Sequence, residues 1–232
     1  MLILALDTSS PWTSCALVDP DLGVVAESLH APPAKAGEIL PGALVDLCGG
    51  DLSRVDALAV GLGPGSFTGL RVGLAALKAI AYARELPLAG VSSLRALALS
   101  AQRADVVVPT LEARRGELYA SAVDGGGTVV LPETVMPASS LPAFVERLHG
   151  PATVVGPGAR ANLASLGRLT VLDEPVAPLA RSVAQLCAAA LRGARHDRAA
   201  VFALAPEYLS TPAAEVTLSE GRLGGLPRRP MP

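Results

Sequence analysis

In the stretch GLGPGSFTGLR, residues 61–71, glycines spaced as in a phosphate-binding loop run directly into a helix-forming segment. A Walker loop adds a Lys to reach the phosphates and a paired hydroxyl to hold magnesium, and this stretch has neither. A dinucleotide fingerprint follows the first strand of a parallel sheet, whereas this one would follow the fourth strand of a mixed sheet. Gly63, Pro64 and Gly65 therefore predict a sharp strand-to-helix turn, with Ser66 or Thr68 capping the helix. Free N–H groups at that helix start still suit an anion.

A second candidate is DTSSPWTS, residues 7–14. Asp7 could orient a metal-bound water, with Thr8, Ser9 and Ser10 donating to phosphate. The same residue types also satisfy a tight turn without any ligand. The matching turn in the second half is EARRGE, where Glu112, Arg114 and Arg115 replace the glycine-rich, hydroxyl-bearing loop of a sugar kinase. The tempting DGGGT at 124–128 falls one hairpin later and predicts a plain β-turn. His30, His149 and His196 lie in unrelated contexts, and Cys15, Cys48 and Cys187 are far apart with no CxxC pair, so no metal ligands are assigned. Ser-His-Asp and HExxH arrangements, which a protease would need, are missing too.

The elements that must position these residues follow from hydrophobic period. LILALD, TSCALVD and GVVAESL predict a three-strand meander, followed by a helix over GEILPGALVDLCGG, whose Pro is tolerable in the first turn. Then come a strand ALAVGL, a helix over 66–83, a strand PLAGV and a helix SLRALALSAQ. The second half repeats the pattern with DVVVPTLEARR, GELYASAVD and TVVLPETV, then a helix, a strand ATVVG and a helix over PLARSVAQLCAAALRG. The expected fold is α/β, two tandem RNase H-like domains of the actin, hexokinase and Hsp70 type. The expected divisions are 1–105, a smaller 106–210, and a loose Gly-, Pro- and Arg-rich tail at 211–232.

Half of the 232 residues are apolar, enough for a sizeable core, and the net charge of −2 does not suit a basic nucleic-acid binder. Any RNA would be held mostly by another chain. With no run of about 18 uncharged apolar residues and no basic stretch ahead of the first strand, a soluble cytoplasmic protein without a membrane span is expected.

The helix over 66–83 is unusual. Arg71, Lys78 and Tyr82 share one narrow stripe, and apolar residues cover nearly everything else. A helix apolar almost all round is buried on more than one side, here by a partner protein or by the chain's own second half. Gly73, Ala75, Ala76 and Ala79 would let a second helix approach closely, and Leu74, beside the stripe, is expected on the partner-facing side.

Taken together, ILALDTSS, GPGSFTGLRVG, GVSSLRALA, EARRGELY and APEYL resemble the bacterial TsaB (YeaZ) family from Met1 to about Leu209. The resemblance implies a non-catalytic subunit in forming threonylcarbamoyladenosine at position 37 of tRNAs that read ANN codons. In that system the paralogue TsaD transfers the threonylcarbamoyl group, TsaE is an ATPase, and TsaC makes the adenylate. The subunit would dock on the TsaD-type transferase through Ile39, Leu40, Leu44, Leu70, Arg71, Gly73, Leu74, Leu77, Lys78 and Ala81, or pair with its own copy through a two-fold axis. It would reach tRNA through the complex and need no cofactor of its own, with ATP or ADP at the complex interface and Asp7, Thr8 and Ser9 as a nucleotide-binding remnant. The transferase's HxxxH metal motif falls here on Ser93 and Leu97, which cannot replace imidazoles. Three positions depart from the family pattern: Lys35-Ala36 stands where a His-hydroxyl pair is usual, Glu112 for Asp, and Ser210 for Arg. An ATP-dependent small-molecule kinase of the same fold is the alternative, and a metalloprotease-like protein a weaker one.

Overall fold

The computed structural model describes residues 1–209 except 115, 167–168 and 173–178. Arg115, Ser210 and the 211–232 tail therefore lie outside the described residues.

The first sheet is built from β1 (Ile3–Asp7), β2 (Thr13–Asp19), β3 (Gly23–His30), β4 (Ala57–Gly61) and β5 (Leu88–Val91) in the order β3-β2-β1-β4-β5. β1 is antiparallel to β2 and parallel to β4, which is the RNase H-like arrangement expected from the meander. The second sheet repeats it with four strands, β6 (Val106–Glu112), β7 (Glu117–Val123), β8 (Val129–Pro137) and β9 (Ala152–Val155), in the order β8-β7-β6-β9.

β1 is buried on both faces and divides its residues by period two. Leu4 and Leu6 pack under α1 (Ala36–Leu47) and α2 (Phe67–Arg84), whereas Ile3 and Ala5 face the opposite layer. Pro41 sits in the second turn of α1 rather than the first, at a solvent-exposed position where the carbonyl it leaves unpaired can be hydrated.

The opposite layer holds α3 (Ser93–Ser100) and α6 (Leu179–Leu191). Although α6 reads in sequence as part of the second half, its Ala180, Val183, Ala184, Cys187 and Leu191 pack on the first sheet. That face is paved by Ala5, Ala16, Ala57 and Ala59, so a helix can approach closely. α3 fills the gap between the sheets, with Leu94 and Leu97 against Val107, Leu111 and Tyr119. The outer side of the second sheet is covered by the short α4 (Leu141–Val145) and α5 (Pro157–Arg160). Finally, α7 (Arg198–Ala203) returns to lie on α2, where Val201 joins the first core. Among the described residues no helix is long and apolar enough to cross a membrane.

Candidate functional site

β1 and β4 end side by side, and between them Asp7 is buried. Its Oδ1 accepts from the Ser9 amide at 3.0 Å and the Ser9 hydroxyl at 2.7 Å, and its Oδ2 accepts from the Ser93 hydroxyl at 2.6 Å. Burial pushes the Asp7 carboxyl above its ordinary value, and the three hydrogen bonds oppose that shift. Gly61 is required because a Cβ there would lie 1.9 Å from Asp7 Oδ2. Sequence reasoning missed this Asp7–Gly61–Ser93 unit, although a glycine ending an otherwise apolar strand is a signal of close approach.

The glycine loop is bound to the same unit. Gly63 donates its amide to Ser93 Oγ at 3.1 Å, and Ser66 donates its amide to the Ser9 carbonyl at 2.6 Å. A Cβ on Gly65 would meet that carbonyl at 2.1 Å. The N–H groups of Gly63 and Ser66 are thus spent inside the chain. Ser66 is the cap, accepting from Gly69 N at 3.2 Å.

Thr8 donates to the Gly69 carbonyl at 2.8 Å, and Ser10 closes its own turn with Trp12. Asp7, Thr8 and Ser9, read in sequence as a nucleotide-binding remnant, therefore have their side chains committed to internal partners. The cleft beside them, about 350 Å³, is lined by Ser9, Ser10, Pro11, Ser66, Glu112, Ala113 and Pro157. Among the described lining residues the charged one is Glu112, whose carboxylate would repel phosphate.

The ten expected interface residues divide differently. Leu40, Leu44, Leu70, Gly73, Leu74, Leu77 and Ala81 are buried within the chain, which corrects the expected exposure of Leu74. The cause is the nature of the apolar arc: Leu70, Leu74 and Leu77 face inward, Val72 and Ile80 are partly covered, and the exposed breadth comes from Ala75, Ala79 and Ala83. Gly73 serves the same inward contact, since a Cβ there would meet Thr8 Oγ1 at 2.4 Å. Ile39 is partly covered. Arg71 stacks on Phe67, 3.8 Å from the ring centre, and donates to the Tyr208 hydroxyl at 3.0 Å. Lys78 donates to the Phe202 carbonyl at 2.9 Å. The charged stripe of α2 thus receives α7 and the segment after it.

Ser93 and Leu97 are both inside, Ser93 on Asp7 and Leu97 in the core between the sheets. Among the described residues no group of three or more His, Cys, Asp or Glu is placed to hold a metal ion.

Comparison with known proteins gives four results. The family profile of TsaD, tRNA N6-adenosine threonylcarbamoyltransferase, matches residues 40–141. The tRNA threonylcarbamoyladenosine biosynthesis protein TsaB of Escherichia coli is 40% identical over 124 residues, 51% of this chain and 53% of that protein. The chain thus matches about half the length of such curated relatives. A solved structure from Pseudomonas aeruginosa, described as similar to peptidase YeaZ, superposes with a TM-score of 0.70 at 30% identity, covering 90% of this chain and 99% of that one. At the level of fold alone, the ADPNP-bound activator of 2-hydroxyisocaproyl-CoA dehydratase from Clostridium difficile also superposes, with a TM-score of 0.53 at 11% identity over 83% of this chain and 96% of that one.

Proposed function

The chain belongs to the TsaB (YeaZ) family of the tRNA threonylcarbamoyladenosine pathway, and from that premise we propose that it is a non-catalytic subunit that docks on a TsaD-type transferase. The observation that carries the docking is the outer face of α2. Ala75, Ala79 and Ala83 are exposed and carry no charge, and α1, which packs on α2, exposes Pro41, Gly42 and Val45. Small residues let a partner helix approach closely, and an uncharged surface desolvates at little cost. The non-catalytic part of the reading is supported by Ser93 and Leu97, which stand where the resemblance places the transferase's metal ligands. TsaE- and TsaC-type proteins would act in the same pathway, and tRNA would be reached through the complex. With its hydroxyls spent internally and Glu112 in the cleft, the lone chain gives no support to the kinase alternative.

The test pairs two variants one position apart on α2. Ala75→Arg combined with Ala79→Arg should leave the melting temperature nearly unchanged, because exposed substitutions typically cost about 0.5 kcal/mol or less. It should abolish co-elution with the TsaD-type protein of the same genome and the tRNA modification that the mixture supports, since an unpaired buried charge costs roughly 3–5 kcal/mol. Leu74→Arg, by contrast, should unfold the chain. If the double variant stays folded and still forms a functional complex, α2 is not the docking face.

A further inference from the structure

We propose that a second hollow, at the end of the second sheet away from the cleft, binds a small organic anion, a carboxylate or phosphate monoester on a flat apolar body, with Arg95 as its counter-charge. The hollow has a volume of about 380 Å³, within the range of small-molecule sites. The cleft touches the end of β6 at Glu112, whereas this hollow touches its beginning at Val107 and the end of β7 at Val123. It is roofed by α3, by Gln185 and Leu186 of α6, and by the DGGGT turn between β7 and β8.

Arg95 is the reason to expect an anion. Its Nε is buried without a hydrogen-bond partner, and no hydrogen bond joins its guanidinium to a side chain among the described residues. Arg95 lines the hollow, and a guanidinium fork matches carboxylate or phosphate bidentately. The other charges around the hollow are spent. Arg103 is paired with Asp105 at 2.8 Å, and Asp124 Oδ1 accepts from the Gly126 and Thr128 amides at 2.9 Å each to close the turn. Glu133 is a carboxylate within electrostatic reach of Arg95, but it makes no hydrogen bond to it and accepts from the Ser92 hydroxyl instead, and Cys187, pushed up to about 12 by burial, stays a neutral thiol.

The rest of the lining sets the ligand class. Leu99, Val107, Val123 and Leu186 offer apolar walls that a bare inorganic ion would not use, and Gln102 and Gln185 add neutral donors and acceptors at the rim. Because α3 and α6 belong to the layer under the first sheet and the turn to the second, an occupant would bridge the two halves.

The experiment titrates the full chain with phenyl phosphate, benzoate and inorganic phosphate by calorimetry and by heteronuclear NMR. At least one aromatic anion should bind saturably, about tenfold or more tightly than inorganic phosphate, and which one binds better identifies the head group. Arg95→Met, which keeps the aliphatic stem, should weaken binding about tenfold or more. Gln185→Trp, at an exposed position of α6 that borders the hollow, should block binding without altering the melt, which keeps the test decisive if Arg95→Met is unstable. Ser10→Ala in the cleft should leave binding intact. The proposal fails if no probe saturates, if inorganic phosphate binds as tightly as both aromatics, or if folded Arg95→Met or Gln185→Trp binds like the parent chain.

Discussion

Asp7 and Thr110 occupy the same place in their two sheets. β1 and β4 pair through Leu6 and Val60, which brings Asp7 beside Gly61, and β6 and β9 pair through Pro109 and Val155, which brings Thr110 beside Gly156. In the second sheet a neutral hydroxyl suffices. Thr110 Oγ1 donates to the Val155 carbonyl and accepts from the Ala159 amide, both at 2.8 Å, fastening α5. In the first sheet the position carries a carboxylate, which can only accept when ionised, so it gathers donors from Ser9 and from Ser93 at the start of α3. An acidic residue at this corner is therefore not by itself a mark of catalysis. Here it joins the β1–β2 turn, the glycine loop and α3 into one unit.

The largest effect should come from the glycines. Gly61→Ala drives a methyl group into the Asp7 carboxylate and should cost about 3 kcal/mol or more, a melting shift of roughly 6–12 °C. Gly156→Ala should also destabilise, for a different reason: its φ is +102° and its Cβ would meet the Thr110 carbonyl at 2.4 Å. Only the first should be relieved by a second change, Asp7→Ala. A Gly61→Ala melt that matches the parent would show that the carboxylate is not fixed at this corner.

Removing the polar groups should cost less. Asp7→Ala orphans the Ser9 amide and two hydroxyls and should lose about 2–3 kcal/mol, against about 1–2 kcal/mol for Thr110→Val, which orphans the Ala159 amide. Urea unfolding measures both, and equal losses would erase the distinction between the corners.

The smallest effect is pH-dependent and belongs to the first corner alone. Burial raises the folded Asp7 carboxyl above its unfolded value near 3.8, so its contribution is fully present below that value and is lost as pH rises through the folded one. The stability of the parent chain minus that of Asp7→Asn should therefore decline as pH rises. Asp105 has the opposite sign. Hydrogen bonds from Arg103 and Thr153 lower it to about 2, so what it contributes above 3.8 is lost on acidification through about 2. A parent-minus-variant difference that stays flat for Asp7→Asn would show that the carboxyl is not held in a dry site.

Much of this was open to sequence reasoning. The continuous apolar runs in ILALD and TSCALVD, the turn residues between such runs and the repeat of the pattern determined the element order, because short β-prone runs bounded by turns admit few other readings. The motif set likewise determined the family. What residue types could not determine was direction. An arc of Leu and Ala around α2 is apolar throughout, and only packing on the first sheet decides that Leu70, Leu74 and Leu77 go inward and Ala75, Ala79 and Ala83 outward. The chain order of α6 points to the second half, yet the alanine-paved face of the first sheet offers the closer fit. Asp7 and Ser93 lie 86 residues apart, and Arg95 comes to line a hollow together with Gln185. Such meetings depend on long-range approach and on which donors remain unspent after folding, and local propensity carries no record of either.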